Sequence, residues 1–157
     1  VLEKIILGID PGLQKTGWGI IKITNNVLSY LNHGVLKTES SMDLARRLNY
    51  LSQSIADIIK DHSPVEVAVE EIFVNSNPLS ALKLGMARGA ILSVPPSFNL
   101  SVYEYSANKI KKSVVGNGHA DKNQVIRMVQ ILLPKMPSNI SSDSADALAT
   151  AICHANH

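Results

Sequence analysis

Asp143 and Asp146 stand three residues apart in the stretch S-S-D-S-A-D-A-L-A-T-A, residues 141 to 151. The serines at its head suit a helix cap and the alanines propagate a helix, so the two carboxylates share one helical face about a turn apart. Ala145, Leu148, Ala149 and Ile152 recur at helical spacing with little bulk, which lets this helix lie close against its support. Carboxylates brought together repel, and protonation, basic partners or a divalent cation relieve the repulsion. Aspartates in a first helical turn also serve the helix dipole, so the pair gains meaning only beside further acids.

Two apolar runs supply them. K-I-I-L-G-I-D, residues 4 to 10, is stopped by Pro11-Gly12 and reads as a buried strand ending in Asp10. V-E-V-A-V-E-E reads as a strand from Val65 to Val69 that ends in Glu70 or Glu71. In open sheets with helical connections, ligands bind at the carboxyl ends of strands. If both strands are central and parallel, Asp10 and Glu70 project from one edge, where the helix bearing Asp143 and Asp146 supplies the remaining ligands. Oxygen donors without a neighbouring cysteine favour Mg²⁺ or Mn²⁺ over zinc. Four carboxylates accommodate two such ions, which at about 4 Å separation activate water on one side of a phosphodiester and stabilise the leaving oxygen on the other. No serine or cysteine triad is needed. His119 and His154 are secondary candidates for a metal or proton-transfer role.

The elements that must position these acids follow in order. Gly12, Thr16, Gly17, Trp18 and Gly19 are expected to form a tight turn into a strand from Trp18 to Thr24, and Asn25-Asn26 a turn into another from Val27 to Leu36. Leu44, Leu48, Leu51, Ile55, Ile58 and Ile59 mark an amphipathic helix over Ser41 to Asp61. Leu79 to Val94 is a helix ended by Pro95-Pro96, and its Gly85 and Gly89 point to a close approach by the sheet or by a second copy. A last strand, Leu100 to Glu104, precedes helices over Ser106 to Val114 and Asp121 to Leu133. A right-handed crossover after the hairpin strands gives an α/β fold, a mixed five-stranded sheet with helices on both faces.

With 157 residues, 45% apolar and 18% charged, one domain spanning residues 1–157 is expected. No apolar run approaches the roughly 20 residues of a membrane span, and the start lacks a secretory leader pattern. Cys153 is the only cysteine, so neither an internal disulfide nor a cysteine zinc site is possible, and a cytoplasmic location is expected. Charge is unevenly spread. Residues 1–71 carry 7 basic and 9 acidic side chains, residues 72–142 carry 8 and 2, and residues 143–157 carry none and 2. A basic middle between acidic ends suits a polyanion held beside a metal site.

G-I-D-P-G, A-V-E-E-I-F, S-A-L-K-L-G-M-A-R-G, V-V-G-N-G-H-A-D-K and D-S-A-D-A-L-A, in that order along nearly the whole chain, resemble the RuvC family of Holliday-junction resolvases. The resemblance implies a ribonuclease-H-like fold, with Asp10, Glu70, Asp143 and Asp146 as the catalytic, metal-binding set. Glu71 falls where the family commonly has an amide and is the second choice. It further implies two Mg²⁺ ions per active site, replaceable by Mn²⁺, and a homodimer that cuts four-way junction DNA by paired symmetric nicks in recombination and repair. A branch-migration motor complex is the implied partner. Lys111 and Lys122 match positions near the scissile phosphate, Lys109, Lys112 and Arg127 are expected to contact the DNA backbone, and Phe73 matches an aromatic that stacks on an unpaired base. The helix of Gly85 and Gly89 would form the subunit contact. Two features depart from the family pattern: Pro95-Pro96 interrupts that helix, and the chain stops at His157 without a basic tail. A sugar-kinase or actin-like ATPase shares the opening glycine turn but needs a second phosphate loop.

Overall fold

A computed structural model describes residues 2–71 and 77–157. Its elements are β1 (Glu3–Asp10), β2 (Lys15–Thr24), β3 (Val27–Lys37), α1 (Leu44–His62), β4 (Glu66–Glu70), α2 (Pro78–Leu92), β5 (Ser101–Tyr105), α3 (Ala107–Val115), α4 (Lys122–Leu132) and α5 (Ser142–Ala155). A short 3-10 helix, Pro95–Phe98, joins α2 to β5. The sheet runs β3-β2-β1-β4-β5, antiparallel through the two hairpins and parallel from β1 across β4 to β5. This is the mixed five-stranded sheet that the sequence predicts, in the ribonuclease-H-like arrangement that the family resemblance implies. Both acid-bearing strands, β1 and β4, are central neighbours and parallel.

Each face of the sheet buries its own core. Leu7, Ile9, Ile20, Val67 and Val69 pack under α1 and α2, against residues such as Leu51, Ile55 and Ile91. Ile6, Ile21, Ala68 and Tyr105 pack under α3, α4 and α5, against Val129, Leu148 and Ile152. Side chains alternate along a strand, so Asp10 follows Ile6 to the α5 side and Glu70 follows Ala68. Glu71 falls on the opposite parity, and its amide closes the last rung with the Tyr105 carbonyl at 2.8 Å.

Capping explains most helix boundaries. Asp43 caps α1 through the Arg46 amide at 2.8 Å, so that helix begins at Leu44 rather than Ser41. Asn77 caps α2, Ser106 caps α3, and Asp121 with Gln124 forms a capping box on α4.

One expectation fails at glycines, and one of two alternatives falls away. Gly17 and Gly19 lie within β2, which starts at Lys15, instead of forming the turn before it. The cause is the overlying helix: a Cβ at Gly17 would stand 2.0 Å from the Asp143 carbonyl oxygen, and one at Gly8 would stand 2.1 Å from that of Ala147. Glycine here permits α5 to lie directly on β1 and β2. Conversely, a Cβ at Gly85 or Gly89 would meet nothing within 4 Å among the described residues, so these two make no close approach inside the chain. No helix among the described residues is long and apolar enough to cross a membrane.

Candidate active site

Asp10 ends β1, Glu70 ends β4, and Asp146 sits in the second turn of α5, which the glycines bring down onto the sheet. These three carboxylates line one cavity of about 310 Å³ with Lys111 of α3 and Lys122 of α4. Ala107, Ile110, Val125 and Ala149 form its apolar wall. Thr150, wholly buried, also lines it and donates its hydroxyl to the Asp146 carbonyl at 2.9 Å.

Negative charge accumulates here. Burial, then the charge of Glu70, a hydrogen bond shared with it, and the charges of Asp146 and Asp143 push the Asp10 carboxyl up to about 9. Burial and Glu70 raise Asp146 to about 6, with Asp143 adding to the rise while Lys122 and Lys111 oppose it. Both lysines thus act by charge on Asp146, with which they line the cavity.

Asp143 belongs to this electrostatic cluster, although it is not among the residues lining the cavity. Lys109 and Lys112 face away from the acids, into a shallower depression of about 610 Å³ beyond α3 that His119 and His157 also line. Arg127 is exposed on α4 and lines neither space. Phe73 lies outside the described residues.

Neither secondary histidine reaches the acids. His119 is exposed in the shallow depression. His154 is buried at the far end of α5, where its Nδ1 and the Tyr105 hydroxyl share a 2.6 Å hydrogen bond and its Nε2 lies 3.3 Å from Glu66. A turn or terminal-helix position says nothing about tertiary partners, so the sequence could not separate these roles. Thr150 and Ile110 were missed as cavity residues. The i+4 spacing from Asp146 could have pointed to Thr150.

The donor chemistry fits a hard divalent cation. Every donor is a carboxylate oxygen, and a cation would offset both the burial and the carboxylate repulsion that hold a proton on Asp10. Among the described residues, no three acidic, histidine or cysteine side chains are already closed around a single point. The acids are gathered, and the positive charge beside them sits on lysines that cannot chelate.

Carboxylates at the adjacent ends of two central parallel strands, joined by a third from α5, make a site of the kind that can hold hard divalent cations for phosphodiester hydrolysis. Residues 6–154 match the family model described as Crossover junction endodeoxyribonuclease RuvC. The chain belongs to the RuvC family, nucleases that hydrolyse phosphodiester bonds with a divalent metal. A curated relative of that name from Paramagnetospirillum magneticum is 53% identical over 152 residues, covering 97% of this chain and 91% of the relative. One from Bartonella henselae is 49% identical, covering 97% and 89%. The solved structure of T. thermophilus RuvC in complex with a Holliday junction substrate superposes with a TM-score of 0.90 at 31% identity, covering 97% of this chain and 93% of that one.

Proposed function

We propose that this chain is a Mg²⁺-dependent crossover junction endodeoxyribonuclease that resolves four-way DNA junctions by paired, symmetric nicks. The observation that carries the reading is the cavity at the carboxyl edge of β1 and β4, where Asp10, Glu70 and Asp146 face Lys111 and Lys122. Asp10, Glu70, Asp143 and Asp146 would hold two hard cations, Mg²⁺ with Mn²⁺ as substitute. When bound, such ions supply an activated water and stabilisation of the leaving oxygen. The chain's own groups do the rest. Lys111 and Lys122 draw a phosphate toward the acids and offset their repulsion of it. The apolar wall of Ala107, Ile110, Val125 and Ala149 limits water around the acids and strengthens charge interactions there.

DNA binding extends beyond the cavity. Lys109 and Lys112 in the neighbouring depression and Arg127 on α4 contact backbone phosphates, which fixes orientation without reading sequence. Phe73 stacks on an unpaired base. Residues 1–157 act as one nuclease domain in the cytoplasm, in concert with a branch-migration motor. The working unit is a homodimer, whose two-fold axis matches that of the junction. In its support, α2 exposes Leu79 by 61% and Leu82 by 56% on a helix whose Gly85 and Gly89 stand open.

The test is a synthetic four-way junction beside a linear duplex of the same sequence, each with Mg²⁺, Mn²⁺ or Ca²⁺. Symmetric nicks in the junction alone, with Mg²⁺ or Mn²⁺, are the expected result. Tight binding without cutting in any of these ions would leave a junction-binding protein, and equal cutting of the duplex would remove the structure selectivity. Sedimentation showing a monomer at working concentration would remove the dimer.

A further inference from the structure

Arg88 lies on α2, on the side of the sheet away from the acid cavity, and is only 7% exposed. Its Nη1 donates to the main-chain carbonyl of Glu70, and its Nη2 donates to the carboxylate of Glu104. Strand register shows why that carbonyl benefits from a donor. The ladder between β1 and β4 stops at Ile9 and Val69, so Glu70 has only β5 beside it, opposite Tyr105. One residue later the chain leaves the strand.

Glu104 reaches the same guanidinium by alternation, since it faces α2 while the adjacent Tyr105 faces α5. One planar group therefore spans the ends of β4 and β5 on the face opposite the cavity that the Glu70 side chain enters. We propose that Arg88 is a positioning residue for Glu70, fixing the last residue of β4 through its main chain and so setting where its carboxylate stands toward Asp10 and Asp146. The inference rests on the reading of Glu70 as a metal ligand. An ammonium offers no rigid fork, so lysine at this position cannot reproduce both contacts. The tie also links acid geometry to α2, the helix assigned to the subunit contact.

Arg88→Met, Arg88→Lys and Glu104→Gln separate a positioning role from a structural one. Mn²⁺ binding to the DNA-free protein is read by electron paramagnetic resonance, alongside thermal unfolding and the Mg²⁺ concentration for half-maximal junction cutting. Arg88→Met is expected to weaken Mn²⁺ binding about 10- to 100-fold, the usual loss when a group supporting a metal ligand is removed. The Mg²⁺ requirement for cutting rises with it. Arg88→Lys recovers thermal stability but only part of the Mn²⁺ affinity. Glu104→Gln keeps the bond to the Glu70 carbonyl, and so keeps Mn²⁺ binding within about twofold of the parent.

Unchanged Mn²⁺ binding and Mg²⁺ requirement in both Arg88 variants overturn the proposal, whatever their melting temperatures. A loss in Glu104→Gln equal to that in Arg88→Met also overturns it, by assigning the effect to the ion pair. Should Arg88→Met fail to fold, the contrast between Arg88→Lys and Glu104→Gln decides. A parent protein that binds Mn²⁺ but cuts no junction defeats the functional reading, while the Mn²⁺ series still judges Arg88.

Discussion

Glu66 and Glu70 sit on the same face of the same strand, four residues apart, and α5 crosses both, yet the two ends are built on opposite principles. At the amino end of β4, Glu66 lies 2.7 Å from Lys4 and 3.3 Å from His154, and Tyr103 stacks on that imidazole with ring centroids 4.5 Å apart. Burial alone would raise the Glu66 carboxyl, but hydrogen bonds and charge from Lys4 and His154 outweigh it and hold the group below its usual value. At the carboxyl end, burial and neighbouring carboxylates drive Asp10 up to about 9. One end matches its acid with bases in contact. The other collects acids and keeps its bases across a cavity. A fold that can neutralise a half-buried glutamate at one end, and does not at the other, has left room there for a positive charge from outside.

The largest effect that tests this contrast is on cutting. Asp146→Asn removes a charged donor from the unmatched end, and junction cleavage with Mg²⁺ is expected to fall by at least about a hundredfold. Junction binding in Ca²⁺ is expected to hold or tighten, because a negative charge beside phosphate is gone. Equal loss of binding and cutting would make Asp146 a structural acid like Glu66.

Asp10→Asn is expected to stabilise the metal-free protein. The folded carboxyl holds its proton up to about 9 against 3.8 for the free group, so between those values the unfolded chain sheds a proton that the folded one keeps. Stability contributed by this group is therefore full below about pH 4 and lost as the pH rises toward 9. At pH 7 the asparagine variant avoids that cost, which is at most on the order of 4 kcal/mol, and shows a higher melting temperature. Added Mg²⁺ should close the gap by stabilising only the parent. A lower melting temperature for the variant at pH 7 without metal would mean that the acids are already compensated.

Much of this contrast was legible in the sequence on one side and hidden on the other. Asp10 and the glutamate pair stand out because each follows an apolar run, and Asp143 and Asp146 because each interrupts a small-residue helix. Choosing Glu70 over Glu71 was not possible from hydropathy, because β4 is buried on both faces and shows no alternation that marks the cavity side. Gly17 and Gly19 read as turn residues since glycine's commonest use is local. Their actual use depends on α5, more than a hundred residues later. His154, Glu66 and Arg88 carry no local signal at all, for a histidine or a buried arginine declares its role only through partners that folding brings together.

At the matched end, Glu66→Gln is expected to cost about 1 kcal/mol of stability, since it weakens charge-assisted contacts that remain partly wet. The cutting rate per folded molecule should not change. The pH profile carries the sign. Glu66 has its carboxyl lowered from 4.5, so its contribution is full above that value and lost as the pH falls below it toward the folded value. The variant should therefore lose its disadvantage in acid. A drop in cutting at full folding would join the two ends functionally and break the distinction between them.

The smallest effect belongs to the lysines that face the unmatched acids without touching them. Lys122 lowers Asp146 more than Lys111 does, and both oppose the rise caused by burial and Glu70. Replacing either with alanine lets the Asp146 carboxyl keep its proton to higher pH, so the acid limb of the cutting profile moves upward. The movement should be larger for Lys122→Ala than for Lys111→Ala. Lys109→Ala, which changes a lysine beyond α3, should leave that limb in place while weakening junction binding at moderate salt. If all three variants moved the limb equally, the lysines would act as a diffuse basic surface, and the cavity would have no charge arrangement of its own. Displacement confined to Lys111 and Lys122 ties Asp146 to two particular cations, the ones that line its own cavity.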